Sequence, residues 1–217
     1  MNVNLCFHGI GTSVREREKG ESGYWVNESD FLGMLDVVVD HPGVRLSFDD
    51  GNRSDLDIAL PALQDRALHA SFFALAGRLD DDASLSPTDL RALRAAGMTI
   101  GSHGWNHVPW RGLPDAEARR ELVDARTALA EASGGAIDDA ALPLGRYDRQ
   151  LLRRLTRIGY RTVFTSDRFP ARSSTWLQSR YSATSADSAE SIRSLLTRRP
   201  GIAELRVLAS SSFKRLR

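Results

Sequence analysis

Val44-Arg45-Leu46-Ser47-Phe48-Asp49-Asp50-Gly51 is a β-run that ends on two adjacent carboxylates and a glycine. Its alternating apolar residues predict a strand, and the Asp-Asp-Gly tip places both carboxylates at the C-terminal end of it. Further along, Ser102-His103-Gly104-Trp105-Asn106-His107 offers two imidazoles at i, i+4 spacing. A helical turn there would let both ring nitrogens converge on one ion. One carboxylate with two histidines is a common divalent-metal set that leaves positions open for water and substrate. The other carboxylate is then free to act as a base. Each piece alone has a plainer reading, Asp-Asp-Gly as an ordinary turn and His-x-x-x-His as a surface helix.

Around these two segments the chain alternates short apolar runs with amphipathic ones. Strands are expected at 3–8, 44–49, 70–76, 98–102, 140–143, 161–165 and 175–179, with helices near 29–39, 55–67, 87–96, 115–132, 149–158 and 189–198. Ser86-Pro87 is a helix start, a hydroxyl cap before a proline at the first helical position, and Gly97 is the matching stop. Gly134-Gly135 ends the longest helix, Asp148 caps the next, and Pro61 should kink its own. Strand-then-helix units imply parallel strands with right-handed crossovers, in a barrel or an open doubly wound sheet. Asp49, Asp50, His103, His107, Asp167 and His8 all fall at or just past the C-terminal ends of expected strands. Barrels of this kind build their active sites at that edge.

Composition sets bounds. The 217 residues are 41% hydrophobic and 26% charged, which suits one domain over 1–217 with a sizeable core. A net charge of +1 argues against a dominant nucleic-acid or anionic-membrane partner. The single cysteine, Cys6, cannot form an internal disulfide and suits a reducing compartment. The N-terminus enters a strand-like run and then a charged stretch, Arg15-Glu16-Arg17-Glu18-Lys19. It shows no signal-peptide pattern, and no apolar run reaches membrane-spanning length, so the expected location is cytoplasmic.

The two motifs, in this order and context, resemble the polysaccharide deacetylase family, carbohydrate esterase family 4, with its nodulation-protein-type deacetylase domain. Its members carry T-F-D-D-G and then H-S/T-x-x-H or a close variant; here Ser47 replaces the Thr. The likeness runs from about Val3 to Tyr181. It implies a distorted (β/α)7-type barrel of parallel strands, with Asp49 as base and Asp50, His103 and His107 as ligands of one divalent ion, zinc first, cobalt or nickel as alternatives.

Two departures from the family pattern follow. Typical members carry a late Leu-x-His histidine that acts as general acid, whereas no histidine follows His107. Some members resemble a circularly permuted arrangement, with that histidine on the first strand, and Phe7-His8 is similar to this version. The alternative is a strand-end histidine of no consequence. The family's R-x-P-x-G motif, which supplies an arginine for the base and a backbone N–H for the oxyanion, corresponds here to Ala141-Leu142-Pro143-Leu144-Gly145. The Leu144 donor survives but the arginine does not. Arg180 is either a surface side chain or a guanidinium arriving from another direction. Asp167 matches the fourth motif only in its acidic residue. Trp105 and Trp110 flank the histidines, where they either stack on a sugar ring or pack.

The function this implies is metal-dependent hydrolysis of an acetylated saccharide, with N-acetyl favoured. The alternatives are an O-acetyl esterase, a non-sugar amidohydrolase, or an inactive carbohydrate-binding or scaffold domain suggested by the missing arginine.

Overall fold

The computed structural model describes residues 2–13, 16–172, 174–197, 211, 214 and 215. Short apolar runs form β1 (Val3–Phe7), β4 (Val44–Asp49), β5 (Ala70–Ala74), β6 (Thr99–Ser102), β7 (Asp139–Ala141) and β8 (Thr162–Thr165). The last run forms two consecutive pieces, β9 (Leu177–Ser179) and β10 (Tyr181–Ser182), separated only by Arg180. All are parallel, in the order β10-β1-β4-β5-β6-β7-β8-β9. Because β9 pairs with β8 while β10 pairs with β1, the last run joins the two edges of the sheet into a nearly closed barrel. Asn4 Nδ2 reinforces the seam by donating to Gln178 Oε1 and to the Ser179 carbonyl. A separate two-stranded ribbon, β2 (Gly9–Ile10) with β3 (Trp25–Val26), brackets a loop at the site mouth.

The helices are α1 (Glu28–Val39), α2 (Leu60–Gln64), α3 (Pro87–Ala95), α4 (Asp115–Arg119), α5 (Ala125–Ser133), α6 (Arg149–Ile158) and α7 (Ala189–Thr197). The main core fills the space between strands and helices, with Phe31, Phe7, Phe48 and Phe72 in successive ring contacts of 4.7–5.4 Å. The barrel interior is different. Strand register sets Ser47 beside Cys6 and Ser71, and Asp49 beside Phe73, so small and polar groups dominate it. Phe73, Ala141 and Phe164 form a small apolar cluster of their own there. Phe73 fits only because its neighbour is Gly101, where a Cβ would overlap its ring.

The caps fall where the side chains predict them. Ser86 closes a full capping box with Asp89 on α3, and Asp148 accepts from the Leu151 N–H at the start of α6. Each is worth about 1 kcal/mol. Two expected helices differ in detail. Pro61 has no N–H for an i→i−4 bond and its ring crowds the carbonyl four residues back, and the chain forms a π-turn over Asp55–Ala59 before α2 begins. The long helix is interrupted by a second π-turn, Arg120–Asp124, between α4 and α5. That turn carries the buried Glu121, which matters below. The expected end of the last helix at 198 lies outside the described residues. Among those described, no helix is long and apolar enough to cross a membrane.

Candidate active site

At the C-terminal mouth of the barrel lies a cleft of about 330 Å³ lined by His8, Asp49, Asp50, His103, His107, Leu144 and Arg180 among others. Strand ends deliver these residues, and three bent backbones aim them. Asp50 (φ 74), His107 (φ 57) and Leu144 (φ 55) all adopt the left-handed conformation that non-glycine residues seldom use. Such strain costs on the order of 1–3 kcal/mol per residue and concentrates at functional sites. The His103–His107 segment is not a helix, contrary to the simplest expectation from its spacing. Glu121, buried on its π-turn, accepts the backbone N–H groups of Trp105 (2.7 Å) and Asn106 (3.1 Å) and holds the loop instead. The two rings nevertheless meet, with centroids 5.1 Å apart.

Asp50 Oδ1 sits 3.5 Å from His103 Nε2 and 3.4 Å from His107 Nε2. This oxygen is buried and has no hydrogen-bond partner among the described residues. Both imidazoles have their other nitrogen engaged: His103 Nδ1 donates to the Ala141 carbonyl (2.9 Å), and His107 Nδ1 meets the Glu18 carboxylate. Those partners fix the tautomer that leaves each Nε2 lone pair bare. Burial is the largest influence on His103 and pushes its pKa down to about 4, against the pull of Asp49, so the ring is neutral near pH 7. Ligand atoms about 2.1 Å from a tetrahedral ion stand roughly 3.4 Å apart, which these spacings match. The orphaned oxygen and the two bare nitrogens therefore fit a divalent metal. A second grouping, Cys6, His8 and Asp49, is a poorer candidate because Arg180 already grips both Asp49 oxygens and its charge opposes a cation there.

Arg180 is the side chain the sequence left undecided. It lies inside the barrel at 2% exposure and grips Asp49 with two parallel bonds of 2.6 Å, while also donating to Ser47 Oγ at 3.0 Å. Its guanidinium rests over the Phe73 and Phe164 rings, 5.4 and 5.6 Å from their centroids. Arg180 is thus not a surface residue but the guanidinium arriving from another direction, assigned with Leu144, Asp167 and Trp105 to the oxyanion or substrate by the motif reading, and its fork is spent on Asp49. Burial alone would raise the Asp49 pKa, but Arg180, and after it His103, outweighs that and holds the carboxyl well below its usual range. Arg180→Met would strand a buried carboxylate, a change that costs about 3–5 kcal/mol. We expect the Tm to fall by roughly 6–20 °C at pH 7. The pair's contribution is present above the carboxyl's unfolded pKa of about 4 and is lost as pH falls below it, so the Tm gap between the two proteins should close in acid.

Residues 37–163 match the family model for polysaccharide deacetylase. This chain belongs to the polysaccharide deacetylase family. It is 23% identical over 177 residues to YxkH of Bacillus subtilis (strain 168), covering 75% of this chain and 63% of that protein, so it spans a little under two thirds of that relative's length. The fold is similar to that of the Streptococcus pyogenes deacetylase PplD in complex with acetate (TM-score 0.78, 20% identity, 91% of this chain and 98% of that one). It is also similar to a de-N-acetylase from Aggregatibacter actinomycetemcomitans (TM-score 0.73, 15% identity, 89% and 99%).

Not every residue singled out from the deacetylase motifs reaches the cleft. The Asp167 carboxylate accepts from Tyr147 (2.7 Å), Thr165 (2.9 Å) and Lys214 (2.7 Å), which turns it away from the cleft. Trp105 packs beneath the Arg120 guanidinium (4.8 Å) and against Gly77, not toward the cleft, and Trp110 is buried in the core. His8 does line it, and its carbonyl accepts from Asn52 Nδ2 (2.7 Å), which ties β1 to the Asp-Asp-Gly turn. The His8 Nδ1 is buried with no hydrogen-bond partner among the described residues. Motif reading missed Glu18, Tyr24 and Arg78, which also line the cleft. Glu18 sits in a run of alternating charges that offers no cue, and Tyr24 and Arg78 lie outside any motif.

Proposed function

We propose that this chain is a metal-dependent deacetylase of saccharides that hydrolyses the carbon–nitrogen bond of an acetamido group. The observation that carries the reading is the Asp50–His103–His107 set, buried at Asp50 and His103, beside Asp49, a carboxylate clamped by Arg180. A divalent ion held by those three residues, zinc first and cobalt or nickel as alternatives, would polarise the acetyl carbonyl and acidify a nearby water.

Asp49 takes the proton of the attacking water. Arg180 keeps it ionised and fixes its plane, and each carboxylate oxygen retains a lone pair beyond the one turned to the guanidinium. A carboxylate held so far below neutrality is a weak base, so it suits a water that is already acidified. The Leu144 backbone N–H, on its left-handed turn at the cleft rim, is the donor assigned to the oxyanion. His8, protonated, delivers a proton to the departing sugar nitrogen. The names of the two similar structures, a deacetylase with acetate and a de-N-acetylase, support the same chemistry. The Arg180 clamp favours an enzyme over an inactive binding domain, because a binding module has no use for a positioned base beside a ligand set.

His8 decides between amide and ester substrates. An alkoxide leaves more readily than an amine, so the amide needs the acid more than the ester does. His8→Ala should keep its zinc and lose about 10²-fold or more on an N-acetylated oligosaccharide, with a much smaller loss on an activated acetate ester. Equal losses on both would make His8 a positioning group. No loss on either would remove it from the mechanism and favour an O-acetyl substrate.

A further inference from the structure

Glu18 is the one acidic side chain from outside the motifs that touches a member of the Asp50–His103–His107 set among the described residues. It reaches His107 Nδ1 from the loop between β2 and β3, far away in sequence. The loop is tied down on both sides of it. Glu21 Oε2 accepts the backbone N–H groups of Arg17 (2.6 Å) and Glu18 (3.2 Å), and Glu16 Oε1 accepts that of Gly20 (2.8 Å). Arg17 Nη2 anchors the whole to Asp81 and Ser84, each at 3.0 Å. Arg78 stands 3.7 Å from Glu18 Oε1, on the same carboxylate oxygen that meets His107.

His107 needs such a partner more than His103 does. His103 is fixed by a strand-edge carbonyl and by full burial. His107 is itself a left-handed loop residue, less buried, and no backbone carbonyl meets its Nδ1 among the described residues. A hydrogen bond to a carboxylate as exposed as that of Glu18 contributes little to stability by itself. Its effect is on orientation: a carboxylate on Nδ1 fixes the Nδ1–H tautomer, aims Nε2 at Asp50, and makes the ring a better donor to a cation.

We propose that Glu18 is a positioning residue that sets metal affinity through His107, making the β2–β3 loop the fourth wall of the metal site. This rests on the reading of Asp50, His103 and His107 as ligands. Zinc alone is the probe. Glu18→Gln and Glu18→Ala should weaken zinc binding by about 10–100-fold in a competition titration, and Glu18→Asp should recover part of that. In the zinc-free protein, nitrogen-15 NMR of the His107 ring should show Nδ1 protonated in the wild type and a shift toward the Nε2–H tautomer in Glu18→Ala. Unchanged affinity in Glu18→Gln and Glu18→Ala, with an unchanged tautomer in Glu18→Ala, would overturn the proposal. His103→Ala, titrated alongside, separates the two failures: if it too binds zinc like the wild type, the metal-site reading itself is wrong.

Discussion

Asp49→Asn should abolish most hydrolysis, by about 10²–10⁴-fold, while the protein keeps its zinc. The substitution removes no proposed ligand, since Asp50 Oδ1 faces both histidines and Asp49 faces Arg180. It also carries a structural consequence that the motif alone does not announce. The amide can accept from one arm of the Arg180 fork but presents an NH₂ to the other, leaving a buried guanidinium half-unpaired. A loss of stability on the order of a few kcal/mol, read as a fall in Tm, is therefore expected with the loss of activity. Rates compared well below both Tm values isolate the chemical effect. Activity within a few-fold of wild type there would mean Asp49 is not the base.

The second large effect concerns the ligand set. His103→Ala removes a buried, neutral nitrogen aimed at Asp50. Bound zinc should fall from about one per chain to well below that, and deacetylation should fall with it. The variant should remain folded, because the alanine relieves the burial of a polar ring and the loop is still held by Glu121. Elemental analysis of the purified variant reads the outcome. Zinc content equal to wild type would dissolve the assignment of the three ligands.

Much of this architecture was legible in the residues. Strand positions followed from apolar runs, and helix starts from Ser86 and Asp148, because those signals are local and their causes lie within a few residues. The placement of His8, Asp49, Asp50, His103 and His107 on one cleft followed from their positions at strand ends. What the sequence could not show are contacts made across the barrel. Arg180 reads as a lone arginine just beyond the last expected strand, yet the seam between β8 and β1 turns it inward, where Phe73 and Phe164 seat it against Asp49. Glu18 reads as one charge among several, and only the ribbon of β2 and β3 carries it to His107. Asp167 stands at the right strand end, but Tyr147, Thr165 and Lys214 take up its carboxylate. Two helices broke into π-turns, one beside a proline that local pattern could flag, the other around a buried Glu121 whose partners are distant in sequence.

The central claim is that metal loaded onto Asp50, His103 and His107 makes this chain cleave acetyl groups from sugar nitrogen. It is tested most directly by measuring acetate release from an N-acetylated oligosaccharide, together with the free amines exposed, for zinc-loaded, chelator-stripped and zinc-restored protein. Acetate and amine should appear in equal amounts from the loaded protein, with none above background after stripping and recovery on restoring zinc. Acetate release that continues undiminished in the stripped protein, or none from the loaded protein across N-acetylated sugars, would contradict it.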